Sequence, residues 1–193
     1  MSRCGHYRRY RASVEAHVGT DFRNLVDLYE SSVGRYTDNQ LFGTRHTEGW
    51  RWITYGEFGK QVDHARGGLA GLGVEAGDRV AVISDNRVEW AIGAYATYGL
   101  GAAWVPMYEA QLAKEWKFIL GNSGSKVVFV GDDGIRAQLD DVRDELPELD
   151  QVVVIRGEAG GDSISWAELV SRGADAPVDT VDPASEDLAC LIY

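Results

Sequence analysis

Gly77-Asp78-Arg79-Val80-Ala81-Val82-Ile83-Ser84-Asp85-Asn86 is the stretch on which the fold turns. Gly77 and Asp78 make a turn, and the run 79–84 is too apolar for a half-exposed strand, so it reads as an interior strand covered on both faces. Upstream, Phe58, Val62, Ala65, Leu69 and Leu72 recur at intervals of three and four and share one helix face. Thr54 and Glu57 match a capping box at the start of that helix, and Gly73 ends it. Downstream, 89–100 reads as a helix, 103–106 as a short strand and 112–122 as a helix with Leu112, Trp116, Ile119 and Leu120 inward. Then come a strand at 126–130, a helix at 134–146 and a strand at 151–156. Strands alternating with helices predict an α/β fold, a mostly parallel sheet with helices on both faces.

The flanks follow the same logic. Residues 21–32 place Phe22, Leu25, Val26, Leu28 and Tyr29 near helical spacing, with Thr20 or Asp21 as the cap. Segments 40–45 and 50–54, rich in β-formers around Thr47, Glu48 and Gly49, predict a hairpin. After a short helix at 165–172 and a polar loop at 173–183, residues 188–193 read as a buried strand with nothing after it. In alternating folds the loop beyond such a strand holds ligands and phosphates, so 21–193 is expected to be an incomplete domain. On that expectation the strands at 80–83, 127–130 and 188–192 lose part of their burial. Residues 1–20, which hold Arg3, Arg8, Arg9 and Arg11, lack the apolar stretch of a secretory signal and read as a disordered leader.

With 45% hydrophobic and 25% charged residues in 193, the composition is that of a soluble globular protein. A net charge of −11 argues against nucleic acid, which is bound through clustered Lys and Arg. Cys4 and Cys190 have no zinc-like spacing and read as packed thiols in a reducing compartment, so a cytoplasmic location is expected. His6, His17, His46 and His64 are not at metal-ligand spacing. Residues 90–108 carry no charge, but their glycines, Thr97 and Pro106 favour a buried helix running into a strand over a membrane span.

A search for catalytic patterns returns no Gly-x-Gly-x-x-Gly after a strand, no Gly-x-x-x-x-Gly-Lys-Ser/Thr and no Gly-x-Ser-x-Gly. Gly67, Gly68 and Gly71 lie inside an amphipathic helix and read as close helix contacts. Asp132-Asp133 and Asp140-Asp141 read as exposed carboxylates. Asn86 is the substrate-proximal candidate, because the loop after 79–84 emerges at the carboxyl edge of the sheet, where α/β proteins place ligands. Tyr108, after the strand 103–106, is the second for the same reason.

Trp52-Ile53-Thr54-Tyr55-Gly56-Glu57-Phe58, then Gly77-Asp78-Arg79-Val80-Ala81-Val82, then Asn86 with Glu89-Trp90, then 99–108, resemble the first landmarks of the AMP-forming adenylate enzymes. Ser123-Gly124-Ser125-Lys126-Val127-Val128-Phe129-Val130 extends the match, and within the superfamily the chain looks most like the N-terminal part of a long-chain acyl-CoA synthetase. The resemblance implies a parent enzyme that joins a fatty acid to CoA through an acyl-adenylate, using ATP, Mg and CoA. It implies that Tyr193 directly precedes the phosphate loop, so that no catalytic, cofactor-binding or metal-binding residue can be carried onto this chain. What carries over is scaffold: Tyr55, Glu57, Asp78, Asn86, Trp90, Pro106 and Tyr108. The chain alone is therefore expected to be inactive and to bind none of these cofactors productively. Peripheral association with a membrane and homo-oligomerisation stay open. The front of an amino-acid- or aryl-activating adenylation domain, and a non-catalytic interaction module, remain as alternatives.

Overall fold

The computed structural model describes residues 22–193, so the leader 1–20, the cap candidates Thr20 and Asp21, and Cys4, His6 and His17 lie outside the described residues. Helix α1 (Leu25–Arg35) begins at Asn24, whose side chain accepts from the Asp27 N–H. A hairpin follows, β1 (Gln40–His46) and β2 (Gly49–Thr54), and then α2 (Tyr55–Gly71), where Thr54 and Glu57 close the expected capping box. The body alternates: β3 (Arg79–Ile83), α3 (Val88–Gly99), β4 (Ala103–Met107), α4 (Ala113–Ser123), β5 (Val127–Asp132), α5 (Asp133–Asp140), β6 (Gln151–Arg156), β7 (Ile164–Ser165) and α6 (Trp166–Asp175).

The five-stranded sheet is parallel in the order β4-β3-β5-β6-β7. Side chains alternate across it. Val80, Val82, Trp104, Phe129 and Val153 face α2, α3 and α6, while Ala81, Ile83, Val105, Val128 and Val154 face α4 and α5. Burial on both faces explains why these strands read as continuous apolar runs. It also corrects the expected loss of burial: residues 80–83 and 127–130 are at most 1% exposed.

The glycines of α2 behave as helix contacts. A Cβ at Gly67 would lie 2.7 Å from the Ala176 and Gly173 carbonyl oxygens, and one at Gly68 would lie 2.8 Å from Leu169 Cγ. Gly71 has open space around it and takes no part.

Three other expectations need correction. Leu112, read as inward, immediately precedes α4 and is 59% exposed. The helix read as 134–146 stops at Asp140, and a separate 3-10 turn covers Arg143–Glu145. Asp140, Asp141 and Asp144 would set negative charge against the negative end of the helix dipole, and breaking the helix lets Leu146 and Leu149 turn inward. The terminal segment 188–193 is not a buried strand. Cys190 makes a single parallel bridge to Trp104, through Trp104 N–H to Ala189 O and Leu191 N–H to Trp104 O, both 2.9 Å. The next donor on that edge of β4 would be Pro106, which has no N–H, so the ladder stops. Leu188 and Ile192 are 56% and 84% exposed.

The segment between α6 and this bridge is strapped across the helices. Arg66 Nε donates to Val178 O (2.8 Å), Val181 N–H to Gly99 O (2.9 Å), and Asn24 Nδ2 to Pro183 O (2.8 Å), while Arg23 pairs with Asp182 at 2.7 Å. Burial raises the Cys190 thiol pKa, which suits a packed cysteine. Among the described residues no helix is long and apolar enough to cross a membrane.

Candidate functional site

The strand order contains one reversal. From β3 the chain moves to one side to build β4, then crosses back to build β5 on the other, so a crevice is expected outside the carboxyl ends of β3 and β5. Ser84-Asp85-Asn86-Arg87 leaves β3 at this place, and Gly131-Asp132 ends β5. Arg87 fills the crevice. Its Nη1 donates to Gly131 O (3.0 Å) and its Nε to Asp85 Oδ1 (2.6 Å), and its side chain is only 12% exposed. It is also the residue before α3, and it supplies no side-chain cap to that helix.

With the crevice plugged, open space lies to one side of it. A cleft of about 770 Å³ is bounded by Phe42–His46 of the hairpin, by Asp85–Glu89 after β3 and by Ile155 and Arg156 at the end of β6. Asn86 is exposed on its wall. Arg45, His46, Arg87 and Arg156 put basic groups around it, opposed by Asp85 and Glu89. Arg156 stands 3.9 Å from Asp132 across the β5–β6 pair.

Tyr108 is also at the carboxyl edge but does not line this cleft. Its ring is 80% exposed, its N–H donates to Gln111 Oε1 (3.0 Å) and its carbonyl accepts from Trp116 Nε1 (3.0 Å). The loops after β3 and β4 are joined by the Asp85 N–H, which donates to the Glu109 carboxylate at 3.1 Å. Sequence reasoning named Asn86, which lines the cleft, and did not single out Arg87. The available signal was an arginine immediately before a helix and directly after an interior strand, where its chain length allows it to span to the next strand.

The other scaffold positions serve packing. Asp78 accepts from the Glu75 N–H (2.9 Å) in its turn and faces Lys126, and Trp90 stacks edge-on against Trp104 with ring centroids 5.6 Å apart. A smaller pocket of about 230 Å³, lined by Phe22, Asn24, Tyr98, Ala102, Pro183 and Leu188 among others, opens at the opposite, amino-terminal end of β4, away from the carboxyl edge.

Comparison with known proteins gives a consistent set. Residues 29–193 match the AMP-binding enzyme family. The long-chain-fatty-acid–CoA ligase FadD15 of Mycobacterium bovis is 34% identical over 153 residues, which is 75% of this chain and 24% of that protein. The peroxisomal long chain acyl-CoA synthetase 6 of Arabidopsis thaliana is 27% identical over 188 residues, 90% of this chain and 27% of its own length. Among solved structures, a Mycobacterium tuberculosis fatty acyl CoA synthetase superposes with a TM-score of 0.73 at 25% identity, covering 88% of this chain and 32% of that one. The chain thus spans about a quarter of the length of the curated relatives, 24% and 27% in the two cases given.

Proposed function

The chain belongs to the AMP-binding enzyme family, and on that premise we propose that it forms one wall of the acyl-activating site of a long-chain fatty acid–CoA ligase. The observation that carries this reading is the 34% identity to a long-chain-fatty-acid–CoA ligase over 153 residues, 75% of this chain. The chemistry has two steps. A fatty acid carboxylate attacks the α-phosphate of ATP to give the acyl-adenylate and pyrophosphate; the CoA thiol then attacks the acyl carbonyl, and AMP leaves as the thioester forms.

Both steps need donors and cations to offset phosphate charge. Among the described residues there is no group of three or more His, Cys, Asp or Glu that could hold a metal ion. Their contribution is shape and orientation. The Asn86 carboxamide, exposed on the cleft, is placed to hydrogen-bond a polar part of the substrate, and Tyr108 borders the neighbouring loop. Arg87 holds the β3 and β5 ends together beneath them.

The test is ATP–pyrophosphate exchange by a chimera in which this chain replaces the matching stretch of the Mycobacterium bovis relative, supplied in turn with palmitate, benzoate and amino acids. Palmitate-dependent exchange is expected from the chimera and none from the 193-residue chain alone. A folded chimera that is silent, or that prefers aryl or amino acids, overturns the reading. In the active chimera Asn86→Ala is expected to raise KM by about threefold to tenfold with kcat little changed, the signature of one lost ground-state hydrogen bond.

A further inference from the structure

We propose that the arginine-rich stretch Tyr7-Arg8-Arg9-Tyr10-Arg11 folds back on the pocket at the amino-terminal end of β4 and clasps the acidic segment that follows α6. The distribution of charge along the chain sets up this pairing. Residues 1–12 carry Arg3, Arg8, Arg9 and Arg11 and no acidic residue, whereas 173–193 carry Asp175, Asp179, Asp182, Glu186 and Asp187 and no Lys, Arg or His. All five acidic residues are exposed, and among the described residues only Asp182 has an ion-pair partner, Arg23 at 2.7 Å.

The other acidic stretch, 140–150, answers much of its own charge. Asp140 pairs with Arg136, Glu145 with Lys117 and Glu148 with Arg79. Negative charge without a partner therefore gathers on the segment after α6, and the planar guanidinium fork suits carboxylates better than any other cation of the chain. The leader also enters at the right place. Phe22, the first described residue, lines the pocket, and Arg23 and Asn24 beside it already hold Asp182 and Pro183. Tyr10 stands twelve positions before Phe22. Extended, that length of chain reaches roughly 40 Å, ample for a return to the pocket.

Charge alone would hold such a segment weakly, because exposed ion pairs are screened by salt and contribute little. The pocket supplies a second contact. Its volume of about 230 Å³ exceeds the roughly 150 Å³ cavity that takes up a benzene ring. Phe22, Tyr98, Ala102, Pro183 and Leu188 give it apolar walls, and Asp187 also lines it. Phe22 and Leu188 are 46% and 56% exposed, so both gain cover when the pocket is filled. A tyrosine between arginines matches this lining: the Tyr10 ring enters the apolar walls while Arg9 and Arg11 reach Asp179, Glu186 and Asp187. The clasp lies at the end of the sheet opposite the 770 Å³ cleft, so it leaves that cleft open and does not depend on the proposed substrate.

The experiment uses the whole chain with Cys190→Ser, which leaves Cys4 as the single thiol for a nitroxide label, and reads the broadening of backbone amide signals by NMR. Broadening is expected at Tyr98, Ala102 and 184–189, and none at Asn86 or Arg156 on the far edge of the sheet. It should fall in about 1 M salt, where charges are screened beyond about 3 Å. Arg8→Glu with Arg9→Glu should abolish it, Asp179→Arg with Glu186→Arg should do the same, and the two pairs of reversals combined should restore it. Tyr7→Ser with Tyr10→Ser should weaken it with every charge kept. The salt series on the otherwise unaltered chain decides the case if a variant fails to fold. No localised broadening, broadening indifferent to salt and to both reversals, or a combined variant that stays silent overturns the proposal. Equal broadening in the tyrosine variant, or broadening passed only from one molecule to another, overturns it as well.

Discussion

Gly173→Ala is expected to destabilise the fold by more than about 3 kcal/mol, the upper range for overpacking a well-filled contact. Gly173 lies inside α6, where its Cα faces α2. A Cβ there would overlap the His64 carbonyl oxygen and come within 2.9 Å of the His64 carbonyl carbon. Both obstacles are backbone, so no side-chain rotation relieves them. The two helices must separate, and Leu169, fully buried between them and the sheet, loses its packing. Since a domain is stable by only about 5 to 15 kcal/mol, the variant should melt far earlier or fail to accumulate. Urea unfolding followed by circular dichroism measures this, and a loss below about 1 kcal/mol would mean that α2 and α6 slide freely.

Trp104→Ala should cost about 3 to 5 kcal/mol, and Trp104→Phe much less. Trp104 is fully buried at the centre of an aromatic row, 5.6 Å from Trp90 and 5.9 Å from Phe129 by ring centroid, and its rim fills the space left by Gly93 on α3. Truncation leaves a cavity that neighbouring strands and helices cannot close. Its Nε1–H, however, has no hydrogen-bond partner among the described residues. A buried donor without a partner costs about 1 to 3 kcal/mol, so phenylalanine removes that penalty while keeping most of the apolar volume. The two unfolding midpoints measured together decide it; equal losses would show that the indole N–H is satisfied after all.

The sheet was legible because its strands are buried on both faces, which leaves an unmistakable apolar run in 79–83, 103–107, 127–130 and 151–156. Helix α2 was legible from its capping box, a purely local device. What escaped was non-local. The two-residue strand β7 exists only because β6 offers an edge for Ile164 and Ser165, and no local pattern announces it. The poor pairing of 188–193 depends on Pro106, more than eighty positions away in the chain, which removes a donor from the edge it would join. At the candidate site, Asn86 followed from the rule that ligands gather at the carboxyl edge, whereas the plugging role of Arg87 depends on Gly131, which only the fold brings alongside.

The hydrogen bond from Asn24 to Pro183 joins positions 159 apart. The side chain that starts the first helix with one atom reaches, through another, a segment synthesised long afterwards. A growing chain can close the hairpin, and then β3 on β4, as each emerges from the ribosome, because those partners are near in sequence. Helix α1 can set Tyr29 against Phe58 and Tyr95 early, but its start stays untied until Asp182 and Pro183 appear. Until then Arg23 and Asn24 have no distant partner, and the junction at the head of α1 is among the last to be locked in place.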